Sequence, residues 1–194
     1  MSISLASFSG HKIHGPKGIG AIYIKKGLKI MKQVHGGHHE FNKRAGTENI
    51  PGIVGFAKAV EIASDDHVKN MTQLRDYFIE EITKNIKDVR LNGSKEKRLC
   101  NNVSVSFKYI EGESILFHLD MKGIAVSTGS ACSSQSLEPS HVLLSIGLPH
   151  EIAHGTIRFT LSRYTTKEEI DYTVEALKEI IAKLRKMSPL TKGE

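Results

Sequence analysis

Tryptophan is absent from the 194 residues and aromatic side chains make up 6% of them, so the chain has little with which to stack on nucleobases. Cysteine is almost as scarce. Cys100 and Cys132 cannot build a disulfide framework, and each is either a small buried hydrophobe or a reactive thiol. No apolar run approaches the roughly 20 residues needed to cross a bilayer. Met1 to Gly10 also lacks the charged start and long apolar centre of a signal peptide, so a cytoplasmic protein with no membrane partner is expected. What is present is globular: 39% of residues are hydrophobic, and a chain of this length can bury roughly 70% of its unfolded surface. The 27 Lys+Arg exceed the 21 Asp+Glu to give +6, but the basic residues are scattered. Lys25/Lys26/Lys29/Lys32, Lys95/Lys97/Arg98 and Lys183/Arg185/Lys186 are short groups near turns and helix ends, which reads as solvated surface and not as a nucleic-acid site.

Periodicity outlines an α/β chain without internal repeats. The first twenty residues, dense in Gly and Ser, read as a tight loop, and Gly20 to Lys26 follows as a strand. Pro51 opens a helix carrying Ile53, Phe56, Ala57 and Val60 and ending between Ala63 and Asp66. From His67 to Ile86, Met71, Leu74, Phe78, Ile82 and Ile86 form one apolar stripe. Asn92-Gly93 marks a turn, and Val103, Val105 and Phe107 alternate with Ser104 and Ser106 as a half-buried strand. A helix follows over Gly112 to Met121, stopped by Gly123, and then a short strand over Ile124 to Val126. Ser140 to Ile146 reads as helix, and Ile157, Phe159 and Leu161 alternate as a last strand. A capping box at Thr166 to Glu169 starts the final helix, whose stripe is Ile170, Val174, Leu177, Ile181 and Leu184 and which ends before Pro189.

Three loops could carry chemistry. In SFSGHKIHGPKG, Lys12 lies beside His11 among Ser7, Ser9 and Gly10; it is a surface lysine or, if burial or cationic neighbours lower its pKa, a nucleophile. No nucleotide-binding glycine pattern fits this stretch. The second loop holds His35, His38 and His39, whose spacing matches no zinc frame, while Arg44, Gly46 and Thr47 suit an anion. In the third, STGSACSSQS, Cys132 lies among hydroxyl side chains in a small-residue loop, as an exposed nucleophilic thiol or an incidental one. Cys100, just before a buried strand, reads as a small core residue.

Taken together, SFSGHKIHGPKGIGAIYIKK, HGGHHEFNKRAGTENIPGIVG, VSTGSACSSQSLEPSHVL and GTIRFTLSRYTTKEEID resemble the C-terminal half of a cysteine desulfurase of the NifS/IscS type. That is a class-V aminotransferase, a fold type I enzyme dependent on pyridoxal phosphate. The likeness runs nearly end to end, with the motifs in the family's order, and S-x-G-S-A-C favours the branch with a longer cysteine loop. It implies a remnant of the large cofactor domain over 1–65 and a smaller α+β domain over 66–194, with a short-stranded sheet packed by helices and the cysteine loop.

The resemblance also implies roles. Lys12 matches the lysine that carries the cofactor and shuttles the substrate's Cα proton. His11 and Ser9 match neighbours of the cofactor, Ser9 at its phosphate, and Thr47 matches a threonine reaching the phosphate of the other protomer's site, which implies a homodimer. Arg158 matches the arginine on the substrate carboxylate, a task suited to a planar guanidinium fork. Cys132 matches the nucleophile that takes sulfur from L-cysteine, leaving L-alanine and a persulfide for a sulfur acceptor or iron–sulfur scaffold; no resident metal is implied, and transient iron ligation by Cys132 stays open. The family's phosphate loop, ring-stacking histidine and pyridinium-pairing aspartate have no counterpart in the chain. Two expectations follow: a desulfurase portion active only with an N-terminal half, from a split gene or a longer reading frame, or a non-catalytic persulfide carrier that binds no cofactor.

Overall fold

The computed structural model describes residues 2–129 and 139–189 and is mixed α/β. Two compact units divide it, Met1–Ser64 and Asp65–Glu194. In the first, β1 (Leu5–Ser9) pairs antiparallel with β2 (Gly20–Ile24), and a 3-10 turn, Gly10–Ile13, follows β1. The loop expected over the first twenty residues is therefore partly strand. Ser7 and Ser9 obscured its alternation, and pairing with Ile22 and Gly20 decides it. A Cβ on Gly20 would stand 2.5 Å from the Phe8 carbonyl oxygen, so the close pairing at this end requires glycine.

Helix α1 (His39–Asn42) is a single left-handed turn at Glu40 and Phe41, with Asn42 also at positive φ, a conformation costing non-glycine residues roughly 1–2 kcal/mol each. The Asn42 side chain anchors it, accepting from Lys32 Nζ at 2.9 Å. Helix α2 (Ile50–Glu61) has Pro51 in its first turn, and the Asn49 side chain accepts the Gly52 N–H at 3.1 Å. Apolar side chains in this unit are poorly covered. Ala45 and Ala59 are its buried ones among the described residues, while Leu5 and Ile22 on one face of the hairpin and Phe8 and Tyr23 on the other are exposed. Apolar residues on both faces of a strand pair are the pattern of a sheet covered on both sides in a layered α/β domain.

The second unit supplies its own core. Helix α3 (Asp65–Asn85), β3 (Val89–Leu91), β4 (Asn102–Phe107), α4 (Gly112–Asp120), β5 (Ser127–Thr128), α5 (His141–Ser145), α6 (His150–His154), β6 (Thr156–Thr160) and α7 (Lys167–Met187) follow in order. The sheet runs β3-β4-β6-β5, antiparallel throughout. Alternation makes it two-faced. Val103, Val105, Phe107, Ile157 and Phe159 join the core with Phe78 and Ile82 of α3, Ile115 and Leu119 of α4, and Leu177 and Ile181 of α7. Each such side chain contributes about 1.5–3 kcal/mol by leaving water. The strand expected over Ile124 to Val126 is displaced: Ile124 and Val126 pack on the core without pairing, and the ladder starts at Ser127. Strand β3 and helix α6 were not anticipated, being too short to show a period.

Helices α3 and α7 are also clamped at the surface. Tyr77 Oη donates to Asp171 Oδ1 at 2.6 Å, and Lys167 Nζ donates to Asp171 Oδ2 at 2.6 Å while lying 4.5 Å from the Tyr77 ring centre. Lys167, then Tyr77, holds the Asp171 carboxyl below its ordinary value. A carboxyl depressed on folding adds stability above its unfolded pKa, near 3.9, and loses it as pH falls through the folded value. The difference in urea midpoint between the chain and Asp171→Asn is therefore expected to shrink as pH falls below about 4. A difference constant to lower pH would show that the charge on Asp171 contributes nothing, as solvent screening permits for exposed pairs.

Candidate active site

Lys12 sits on the 3-10 turn that continues β1, exposed to solvent between exposed His11 and Ile13. Backbone hydrogen bonds pin both ends of this turn. The Gly10 N–H donates to Ile19 O at 3.0 Å, and the Gly15 N–H donates to Gly10 O at 2.9 Å. Two close approaches leave little space for side chains. A Cβ at Gly10 would lie 3.0 Å from Ile19 Cγ2 and 3.3 Å from Phe56 of α2, and one at Gly15 would lie 2.8 Å from Gly10 O. Helix α2 thus braces the loop through Phe56 and Ala59, leaving Ser9, His11 and Lys12 projecting from a fixed backbone.

Thr47 lies elsewhere in the same unit, exposed in the irregular segment before α2 and following Gly46 at φ +112. Arg44 Nη1 donates to its neighbour's carbonyl, Ala45 O, at 3.2 Å. Among the described residues no group of His, Cys, Asp and Glu could hold a metal ion, and His38 Nδ1 instead meets Asn42 Oδ1 at 3.1 Å.

Arg158 stands on the solvent-facing side of the second unit's sheet, on β6, opposite Ser104 of β4 and Ser127 of β5. It borders a cavity of about 310 Å³ together with Asn92, Asn102, Ser104, Gly129 and Leu143. The loop around Asn92 is held by arginine. Arg98 donates to the carbonyls of Asn92 at 2.6 Å, Ser94 at 2.7 Å and Asn102 at 3.2 Å, and buried Arg75 donates to Leu99 O at 3.1 Å. Burial, and then the like charge of Arg75, pull the Arg98 guanidinium below its ordinary value. Cys100, expected in the core, is a free, half-buried thiol at the end of this loop. Cys132 lies outside the described residues. The polar alternation of Ser104 and Ser106 was visible in the sequence; that it builds a wall beside Arg158 together with Asn92 was not.

A lysine on a braced turn and an arginine on the polar face of an antiparallel sheet are thus carried by two mixed α/β units. The chain belongs to the class-V aminotransferase family, whose profile matches residues 1–173. It is 58% identical over 192 residues to the cysteine desulfurase IscS of Dictyoglomus turgidum, an alignment covering 97% of this chain and 49% of that protein. Among solved structures, a NifS-like protein superposes with a TM-score of 0.83 at 39% identity, over 94% of this chain and 47% of that one. The structure titled "SspA in complex with cysteine" follows at 0.65 and 32%, over 84% and 45%. The chain spans about half the length of the curated relatives it matches. The family depends on pyridoxal phosphate. The Lys12 turn fits such a group chemically: a primary amine, the Ser9 hydroxyl and the His11 imidazole flank a tightly packed glycine.

No helix among the described residues is long and apolar enough to cross a membrane.

Proposed function

We propose that this chain is the C-terminal portion of a cytoplasmic, homodimeric cysteine desulfurase. The observation that supports it most is the Lys12 amine on its hydrogen-bonded turn between β1 and β2, in a chain 58% identical to a cysteine desulfurase. Pyridoxal phosphate, when bound, supplies an electron sink for the substrate's Cα. Lys12 would hold it covalently and move the Cα proton. Ser9 and, from the other protomer, Thr47 would bind its phosphate, with His11 against it. Arg158 would clamp the substrate carboxylate. In the net reaction a bond forms between the cysteine sulfur and Cys132 Sγ and the substrate's C–S bond breaks. The β-carbon gains a proton, giving L-alanine and a Cys132 persulfide, which passes to an acceptor or iron–sulfur scaffold. An N-terminal half would complete the cofactor domain and cover the exposed hairpin.

The test mixes the chain with a polypeptide carrying the family's remaining half, pyridoxal phosphate, L-cysteine and a thiol reductant. Sulfide and L-alanine are expected in equal amounts from the mixture and not from the chain alone, and borohydride should fix the cofactor on Lys12 by peptide mass. Attachment to another lysine would overturn the Lys12 role. A mixture that stays colourless while Cys132 accepts persulfide would establish the carrier module instead.

A further inference from the structure

Residues paired across neighbouring strands share a face, so Ser104, Arg158 and Ser127 form one row across β4, β6 and β5. On the same face, next to Ser104, lies Asn92, 5% exposed. Its amide group donates to Ser104 Oγ at 3.2 Å and to Ser106 Oγ at 2.9 Å, using both N–H bonds. Ser106 Oγ also lies 3.2 Å from Asn92 Oδ1, and the backbone carrying the amide is held. The Asn92 backbone N–H donates to Ser104 O at 2.9 Å, Arg98 holds its carbonyl, and Ser106 Oγ lies 2.6 Å from Thr156 Oγ1 in a fully buried contact.

A serine hydroxyl has one proton to give, and one that accepts from Asn92 keeps that proton for something else. Among the described residues Ser104 donates it to none. Ser104 and Arg158 both border the 310 Å³ cavity, whose described lining includes no carboxylate side chain. The wall therefore offers a guanidinium with a neutral hydroxyl donor beside it. That combination suits a planar carboxylate, which can take two parallel bonds from the guanidinium and a third from the hydroxyl on a remaining lone pair.

We propose that Ser104 is a second binding residue for the carboxylate of the amino-acid substrate, with Asn92 as the positioning residue that turns its proton into the cavity. This rests on the desulfurase reading and adds to Arg158 a donor fixed by the buried polar network on the same face of the sheet. Polar donors held by buried partners are pre-organised, so little ordering is needed when the carboxylate arrives.

The test is a titration of the isotopically labelled 194-residue chain with L-alanine, followed by NMR at the Arg158 side chain and the amides of Ser104 and Thr156, with isopropylamine as a probe lacking the carboxylate. L-alanine is expected to shift these signals and isopropylamine is not. Ser104→Ala should weaken the titration about tenfold, the scale of one hydrogen bond to a charged group, while Ser104→Thr, which keeps the hydroxyl, should stay within about twofold. Asn92→Ala should behave like Ser104→Ala, and Arg158→Ala should abolish the response. If Arg158→Ala abolishes it and Ser104→Ala does not weaken it, this inference fails and the Arg158 role survives. If Arg158→Ala titrates like the unsubstituted chain, or the unsubstituted chain shows no response, the carboxylate site itself is overturned.

Discussion

Cys132→Ala in the complemented chain is expected to reduce sulfide release from L-cysteine by at least about a thousandfold, because the sulfur then has no thiolate to receive it. Borohydride trapping at Lys12 should continue, since the cofactor-carrying amine is a separate group. That separation distinguishes loss of the acceptor from loss of the fold or the cofactor. Cys100→Ala, at the half-buried thiol of the Arg98 loop, should leave the rate within about twofold. Sulfide release that survives Cys132→Ala, or that falls equally with Cys100→Ala, would remove Cys132 from its role.

Gly155→Ala is expected to destabilise the Asp65–Glu194 unit strongly, by several times the cost of an ordinary glycine-to-alanine change. A Cβ there would stand 2.2 Å from Phe107 O and 2.7 Å from Ile110 O, and both are backbone atoms that no rotamer change can move. The backbone conformation is not the cause, since Gly155 has φ −81, which any residue adopts. What fails is the seating of β6 against the end of β4, where the Phe107 N–H donates to Gly155 O at 2.9 Å. Overlap of this kind costs about 3–5 kcal/mol, against a total stability of about 5–15 kcal/mol for a domain. Gly147→Ala is the control in the same unit: it has φ +83 but nothing within 4 Å of the added carbon, so it should cost only about 1–2 kcal/mol. Equal urea midpoints for Gly155→Ala and the unsubstituted chain would contradict the packing described here.

Much of the second unit was legible because its segments are long or strictly alternating. The stripe of α7, from Ile170 to Leu184, is buried as its spacing predicts, and its capping box forms, with Thr166 Oγ1 accepting the Glu169 N–H at 3.3 Å. Val103, Val105 and Phe107 face the core and Ser104 faces away, as a period of two requires. Where segments are short, periodicity had nothing to measure. Strand β3 has three residues and β5 has two, and each exists because a neighbouring strand presents free backbone groups to it. Strand β1 failed for another reason. Its serines look like loop, and pairing with β2 overrides that local signal.

For the candidate site, residue types and motif order in the sequence were enough to nominate Ser9, His11, Lys12, Thr47, Cys132 and Arg158 and to resemble one family. They could not say how each is supported. That Lys12 rides a turn braced by Gly10, Gly15 and α2, and that Arg158 shares its cavity with Ser104 and the buried Asn92, depends on contacts between residues far apart in the chain. A spacing of two or of 3.6 residues assigns a side chain to a face of one element. Only the packing of elements decides which faces meet, and here it sets a guanidinium, a hydroxyl and a buried amide into one wall.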